Sequence, residues 1–397
     1  MRLLMLNNEF PPLGGGTGTV NLAILQRMAK VPGLEVDLIT SALGRQAEKD
    51  RLGERIRIFK VPVNNRVIHH SSNRELIAYA AQAWSLAGRL HLARSYDFCF
   101  AWSAVPAGGV AWALRQTAGL PYLVRVGGPD IPGFEPRYKF LYPVLTPLIR
   151  SIWLRAEVVV AKCEGEAAMI RAVDQNVPIA LIPNGVDLDA FRERIPPPDN
   201  GPLRLICVGR LIERKGQHHL IQAVKRLLDQ GIDVALDLIG TGDSRASYEA
   251  QARALGTEKK VRFVGYVPRE EIAAYYEAAH VFVLPSYNEG MSVATLEAMA
   301  AGLPLVVSRA GGTASLVAEG VNGWTFPWGD VEGLTVHLRR LAVDRALAWR
   351  LGAASRCRAA QFSWERAFEK YMTLFEKFTP SSASLPSARI GSSSRER

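Results

Sequence analysis

Two carboxylates stand eight residues apart in the stretch Pro285-Ser286-Tyr287-Asn288-Glu289-Gly290-Met291-Ser292-Val293-Ala294-Thr295-Leu296-Glu297-Ala298-Met299. The stretch follows an apolar strand-like run and opens a helical pattern. Backbone N–H groups in the first turn of a helix have no intrahelical partner and carry partial positive charge, which makes an anion site. Ser292–Ala294 would supply them. Glu289 lies in the loop before, and Glu297 is five residues past Ser292, about 7.5 Å along a helix. One carboxylate can therefore sit on each side of a phosphate group bound at the helix start, an arrangement suited to two hydroxyl-rich units flanking a diphosphate. An acidic first turn followed by an ordinary helical glutamate would carry the same letters.

A second constellation is Val208-Gly209-Arg210-Leu211-Ile212-Glu213-Arg214-Lys215-Gly216. It reads as a strand end, a glycine turn, then two cations five apart. Arg210 and Lys215 could clamp a diphosphate and stabilise its charge as it leaves. Two solvated surface cations are the plainer alternative. No Gly-x4-Gly-Lys-Ser/Thr stands here, so the nucleotide P-loop is excluded. A third is the glycine-rich Pro11-Pro12-Leu13-Gly14-Gly15-Gly16-Thr17, where backbone can approach a ligand closely. Its glycines do not match the dinucleotide fingerprint, and Thr40-Ser41 rather than an acid closes the second strand. Gly240-Thr241-Gly242 and Gly265-Tyr266-Val267-Pro268 are either ligand loops or plain turns.

The elements that must hold these loops alternate. In the first half, Leu3–Leu6, Val36–Thr40, Phe98–Ala101, Tyr122–Val126 and Val158–Ala161 predict strands. Val20–Met28, Arg74–Leu92, Gly109–Arg115 and Pro147–Arg155 predict helices between them. Short apolar strands alternating with helices argue for a parallel sheet covered on both faces. Pro196–Pro202 is the clearest linker. The pattern then restarts, with strands at Leu203–Val208, Val234–Ile239, Val261–Val264, Val281–Leu284 and Leu305–Ser308. Helices are expected at Gln217–Gln230, Tyr248–Leu255, Arg269–Ala279 and Ser292–Ala301. Two such doubly wound units would leave a cleft between their strand C-terminal ends, where ligands of α/β sheets bind. The divisions expected are 1–183, 184–362, a closing amphipathic helix over 363–378, and a disordered Ser/Pro-rich tail over 379–397.

Composition narrows the class. The 397 residues are 48% hydrophobic and 22% charged, which excludes a disordered, collagen-like or disulfide-framework chain. The net charge is +10, and residues 1–183 hold 21 Lys and Arg against 14 Asp and Glu. That basic half could face phosphates, nucleic acid or an anionic membrane. Cys99, Cys163, Cys207 and Cys357 lie far apart, which suits a reducing compartment. No pair among the seven His has zinc-ligand spacing with another ligand, so no metal is expected. The start of the chain reads as a buried strand rather than a secretory signal, and no run of about 20 apolar residues predicts a membrane span.

Taken together, these motifs resemble the retaining glycosyltransferases of the GT-B fold, specifically the GT4 group. The resemblance covers roughly residues 1–378. It rests on Pro11-Pro12 with Gly14-Gly15, Pro183-Asn184-Gly185-Val186-Asp187 with Phe191, and Gly209-Arg210 with Lys215-Gly216. It rests further on the Glu-x7-Glu pair Glu289/Glu297, Glu297-Ala298-Met299-Ala300 with Gly302 and Pro304, Gly311-Gly312, Asn322-Gly323 and Asp330. The resemblance implies two Rossmann-like domains facing a central cleft, an N-terminal acceptor side and a C-terminal donor side.

It implies that a sugar moves from a nucleoside diphosphate, UDP ahead of GDP, to a saccharide or lipid-linked acceptor in cell-surface polysaccharide or glycolipid synthesis. Arg210 and Lys215 would bind the diphosphate, Glu297 the ribose hydroxyls, and Glu289 the donor sugar. Gly290, Met291 and Ser292, with Val293 and Gly209, would border sugar and phosphate. Tyr266 and Val267 would lie near the base, and Gly15 and Gly16 would approach the phosphate or acceptor. No cofactor, no metal and no enzymatic nucleophile are implied. Two departures stand out. Many members carry His-Gly where this chain reads Arg125-Val126-Gly127-Gly128-Pro129-Asp130, so the histidine's part is lost or passes to Arg125 or to Asp130 as a catalytic group. Ser315 stands where the family often has Glu.

On the acceptor side, Phe134–Arg155 mixes Phe134, Tyr138, Phe140, Leu141, Tyr142, Leu145, Leu148, Ile149, Ile152 and Trp153 with Arg137, Lys139, Arg150 and Arg155, against Glu135 alone. Such a segment could rest on an anionic bilayer or pack into a core. A cytoplasmic protein, peripheral at the inner face of the membrane and without nucleic-acid partners, is the matching expectation. Two other classes compete. A retaining glycosidase needs carboxyl groups about 5 Å apart across one bond, which a helix start between Glu289 and Glu297 serves poorly. A non-catalytic membrane or nucleic-acid adaptor explains the basic first half but not the motifs of the second.

Overall fold

The computed structural model describes residues 1–65, 71–192, 201–313 and 315–378. The expected linker lies outside these residues except for Gly201 and Pro202, and the expected tail lies outside them entirely. The chain forms two compact units. One holds Met1–Ala161, Ile170–Ala180 and the segment beginning at Phe368; the other holds Lys162–Met169 and Leu181–Ala367.

In the first half of the chain the order is β1 (Arg2–Leu6), α1 (Gly16–Met28), β2 (Glu35–Leu43), β3 (Glu48–Leu52), β4 (Ile56–Asn65), α2 (Asn73–Arg94), β5 (Phe98–Ala101), α3 (Gly109–Ala118), β6 (Tyr122–Arg125), α4 (Tyr142–Arg155), β7 (Val158–Ala161), α5 (Glu164–Val173) and β8 (Ile179–Leu181). The strands form one sheet in the order β3-β4-β2-β1-β5-β6-β7-β8. The pairings of β4 with β2, β2 with β1, β1 with β5, β5 with β6 and β6 with β7 are parallel. The central strands are short, apolar and buried, which is what a sheet covered on both faces demands.

Neither strand of the edge pair β3–β4 was among those expected: β4 alternates buried Ile56 and Ile58 with Arg57 and was legible in the hydrophobic pattern, whereas β3 was not. β3 reads Glu-Lys-Asp-Arg-Leu, is almost wholly exposed, and pairs antiparallel with β4. Lys60 bridges to Glu48 across that pair at 3.0 Å. α4 begins at Tyr142, five residues before the expected Pro147. Pro143 lies in the first turn, where a missing N–H costs nothing, and Pro147 is accommodated inside the helix.

The second half runs β9 (Leu203–Val208), α6 (Gln217–Asp229), β10 (Val234–Ile239), α7 (Arg245–Ala254), β11 (Val261–Gly265), α8 (Ile272–Ala278), β12 (Val281–Leu284), α9 (Val293–Ala300), β13 (Leu305–Ser308), β14 (Gly323–Phe326), α10 (Val331–Val343), α11 (Arg345–Ala359) and α12 (Trp364–Glu376). Its sheet is β11-β10-β9-β12-β13-β14, with every pairing parallel. Strand order reverses at β9/β12, the switch point at which such sheets bind ligands beyond the strand C-termini. The loops after β9 and β12 are the two that carry Arg210 with Lys215 and Glu289 with Ser292.

Candidate active site

The loop after β9 is shaped from below by glycines. Gly209 N–H donates to Ile239 O at 2.9 Å and Leu211 N–H to Thr241 O at 2.9 Å. A Cβ on Gly240 would lie 2.2 Å from Gly209 O, so this glycine is a close-packing residue. The chain then makes a 3-10 turn over Glu213–Lys215 and enters α6 through Gly216 at φ 68°. A Cβ on Gly216 would sit 2.1 Å from Pro285 O. Only a glycine lets this loop close on the one after β12.

Three bonds then staple the two loops together. Tyr287 N–H donates to Arg214 O at 2.8 Å. Arg214 Nη1 donates to Asn288 O at 2.9 Å. Lys215 Nζ donates to Glu289 Oε1 as a close ion pair. Glu289 is buried, and burial pushes its carboxyl up. The cations of Lys215 and Arg214 outweigh that and hold it below its ordinary value. It is therefore an anion at neutral pH.

The other side of the Glu289 loop is equally fixed. Gly312 N–H donates to Glu289 O at 2.9 Å. Gly311 and Gly312 leave no room for side chains, since their Cβ atoms would lie 2.0 Å from Glu289 O and 1.9 Å from Gly290 O. Asn184 Nδ2 donates to Met291 O at 2.9 Å. Gly290 packs on a buried ion pair, Lys162 with Glu166 at 2.5 Å. Ser292 caps α9 by accepting from Thr295 N–H at 3.2 Å. The expected anion-binding turn of Gly290, Met291, Ser292 and Val293 is thus a rigid helix entrance with its backbone direction set from three sides.

Glu297 lies one turn into α9. Tyr276 donates its hydroxyl to Glu297 Oε2 at 3.0 Å. Burial pushes the Glu297 carboxyl up, against the pull of Tyr276 and Arg269. A cavity of about 270 Å³ opens beside it, lined among others by Asp187, Phe191, Arg269, Ile272 and Val293. Tyr266, at the end of β11, is exposed, and Val267 beside it is partly buried. Gln217 Nε2 donates to Arg210 O at 2.9 Å, fixing the backbone from which Arg210 projects.

The structure thus brings Lys215 and Glu289 into contact and sets Gly290–Val293 directly after them. Arg214, Tyr276 and the pair Lys162/Glu166 were missed in the sequence. Arg214 was hidden by its more regular neighbour Lys215. Tyr276, Lys162 and Glu166 lie outside both loops, and although the last two stand at i,i+4, nothing local ties them to this site.

In the first unit, Gly15 and Gly16 are exposed at the start of α1, and a Cβ on Gly15 would meet nothing within 4 Å. Asp130 is buried and accepts three backbone bonds: from Gly127 N–H at 2.7 Å, Gly128 N–H at 2.9 Å and Ala104 N–H at 2.6 Å. Arg125 is buried with its guanidinium 4.5 Å from the Trp102 ring and its Nε donating to Tyr371 Oη at 3.0 Å. The segment 134–155 divides. Phe134, Tyr142, Ile149, Ile152 and Trp153 are core, while Phe140, Val144 and Leu148 are exposed. Among the described residues no cluster of His, Cys, Asp and Glu could hold a metal ion, and no helix is long and apolar enough to cross a membrane.

Two sheets of this order, each wound with helices on both faces, define the GT-B class of glycosyltransferases. The sucrose-phosphate synthase of Thermosynechococcus elongatus superposes with a TM-score of 0.84, at 23% identity over 95% of this chain and 98% of that one. An Anabaena protein solved with UDP-glucose superposes at 0.75, with 19% identity over 95% and 100%. The family "Glycosyl transferases group 1" matches residues 190–358 and "Glycosyltransferase Family 4" matches residues 14–190. The chain belongs to the family 4 glycosyltransferases. It is 28% identical over 375 residues to the GDP-mannose-dependent alpha-(1-6)-phosphatidylinositol monomannoside mannosyltransferase of Mycolicibacterium smegmatis, covering 89% of this chain and 92% of that one. Against several other curated relatives the chain spans about half their length.

Proposed function

We propose that this protein moves a sugar from a nucleoside diphosphate to a saccharide or lipid-linked acceptor in cell-surface polysaccharide or glycolipid synthesis, with retention of anomeric configuration and without a metal. The observation that carries this reading is the Lys215–Glu289 ion pair at the entrance to α9. An ammonium has three donors, so Lys215 can hold Glu289 and a diphosphate oxygen together. Arg210 adds a second cation on the same loop, with Gly209 leaving room for the phosphate. The N–H groups of Gly290, Met291, Ser292 and Val293 face the same charge.

As the bond from the anomeric carbon to the diphosphate oxygen breaks, the electron pair stays on the diphosphate. These groups stabilise the charge that grows there. The acceptor oxygen bonds to the anomeric carbon from the same face and gives its proton to the departing phosphate oxygen, so no protein nucleophile is needed. Glu289 contacts the donor sugar, Glu297 accepts from the ribose hydroxyls, and Tyr266 and Val267 flank the base. The part expected of Gly15 and Gly16 belongs to the same reading. For Asp130 we propose a brace rather than a catalytic role, because its oxygens are engaged by backbone N–H groups. UDP is proposed ahead of GDP. The Anabaena neighbour was solved with UDP-glucose, while the name of the Mycolicibacterium relative specifies GDP-mannose.

A cytoplasmic protein, peripheral at the inner face of the membrane, is part of the proposal, and the exposure of Phe140, Val144 and Leu148 supports a contact of 134–155 with an anionic bilayer. The test is nucleotide release from UDP-, GDP-, ADP- and dTDP-sugars, without acceptor and then with a glycolipid extract. Release from one donor, lost in Lys215→Ala, is the expected result. No release and no thermal stabilisation by any donor overturns the reading.

A further inference from the structure

The crossovers β4-α2-β5, β5-α3-β6 and β6-α4-β7 advance in one direction along the first sheet, so right-handed winding sets α2, α3 and α4 on one face. α2 packs on α3 and α3 on α4, forming one helical layer. α2 turns Tyr79, Ala83 and Ala87 inward. Its opposite side carries Ile77, Ala81, Trp84, Gly88 and Leu92, which fall within about 80° of arc. Ile77 is 70% exposed, Trp84 50% and Leu92 87%. A solvated helix face does not ordinarily carry its largest apolar residues in register. α4 behaves alike. It buries Ile149, Ile152 and Trp153 and turns Val144 and Leu148 outward, with Phe140 88% exposed just before it.

We propose that the outer surface of α2 is the second half of a single membrane-seated face, the first half being 140–148, and that its occupant is an anionic phospholipid surface. The inference rests on the lipid-linked reading of the acceptor. Charge decides between lipid and a second copy of this chain. Around 135–155 the cations are Arg137, Lys139, Arg150 and Arg155, of which Arg150 is paired with Asp174 at 2.6 Å and Arg137 lies 3.8 Å from Glu135, so the excess is positive. Along α2, Arg74 and Arg89 are exposed, and the single acid, Glu75, is used in the Ser72 capping box. Two such faces would repel each other, whereas anionic headgroups attract both. Trp84 lies amid the stripe, suited to the headgroup level.

The full-length protein should pellet with phosphatidylglycerol vesicles in low salt, far less with phosphatidylcholine vesicles, and far less at about 0.5 M salt. Ile77→Glu with Trp84→Glu should reduce the bound fraction about tenfold, and so should Val144→Glu with Leu148→Glu. Val336→Glu, an exposed apolar position on α10 of the other unit, should change nothing. Brominated lipid should quench wild-type tryptophan emission, and the lost quenching should mark Trp84 when it is replaced by Phe. That second readout needs no disruptive change.

Undiminished binding in the α2 double variant, or no binding at low salt, overturns the proposal. A dimer dissolved by the α2 changes, with no vesicle binding, assigns the face to a second copy and also overturns it. Nucleotide release is measured in parallel. Vesicle binding without release discards the sugar-transfer reading and keeps the surface, and release without vesicle binding does the reverse.

Discussion

Lys215 and Glu289 lie 74 residues apart in the chain and meet as a close ion pair, with both side chains largely shielded from water. Lys215 is the charge that does most to lower the Glu289 carboxyl. Removing one partner of a buried pair typically costs about 3–5 kcal/mol, because the remaining charge is stranded. Lys215→Ala should therefore lower the melting temperature and reduce nucleotide release by about 10²–10³-fold.

The acid dependence gives a sharper signature. The folded Glu289 carboxyl lies below its ordinary value of 4.5. Its stabilising contribution is then present above that value and is lost as pH falls towards the lowered one. Without Lys215, Arg214 is left as the cation opposing burial, and the carboxyl should rise. With that carboxyl above its ordinary value, the variant should lose stability as pH rises through the range in which Glu289 ionises. Melting curves taken between about pH 4 and pH 7 distinguish the two slopes.

Glu297 carries the opposite bias. Burial raises its carboxyl, and the Tyr276 hydroxyl opposes the rise. Tyr276→Phe removes the opposing bond, so the carboxyl should rise further. If Glu297 accepts from the donor ribose, protonation weakens donor binding. The donor KM should then climb as pH falls, and in Tyr276→Phe that climb should begin at higher pH with kcat at neutral pH little changed. A KM profile unmoved by the substitution would detach Glu297 from the donor.

Asp130 tests the division between bracing and catalysis. Asn can still accept at one oxygen from Gly127 and Gly128, but its amide sets N–H against the N–H of Ala104. One buried donor is orphaned, at about 1–3 kcal/mol. Asp130→Asn should melt several degrees lower while the folded protein keeps its kcat. A full-strength fold with lost turnover would instead return Asp130 to the chemistry.

What was legible in the sequence follows from how local each signal is. The strands β5 and β12 are short unbroken apolar runs, and β1 and β9 each carry a single exposed arginine, Arg2 and Arg204, so their burial could be read from letters alone. β3 could not, because an exposed charged strand at a sheet edge has no hydrophobic period. The entrance to α9 was legible because Ser292, the turn before it and the helix after it are contiguous. The tie of Lys215 to Glu289 was not legible: the family resemblance put both residues at the donor, one at the diphosphate and one at the sugar, and spacing within one loop says nothing about a loop 74 residues on. Lys162 and Glu166 illustrate the limit. At i,i+4 they read as a common surface pair, yet they lie buried against Gly290.

That contact separates two glycines of the same site. A Cβ on Gly290 would lie 2.2 Å from Glu166 Oε1 and 2.9 Å from Lys162 Cε. A buried ion pair cannot swing aside without losing its partner, so the loop itself must move. Gly290→Ala should lower the melting temperature and abolish donor binding together. A Cβ on Gly209 meets no atom nearer than 3.8 Å, the Lys215 Cε. Gly209→Ala should therefore leave the melting curve in place. Where the diphosphate lies against that glycine, the added methyl takes its space, and the donor KM should rise about tenfold, or 1.4 kcal/mol. Calorimetry of both variants with the donor found by nucleotide release reads the contrast directly. Equal donor affinity in Gly209→Ala and wild type would move the diphosphate away from the loop after β9.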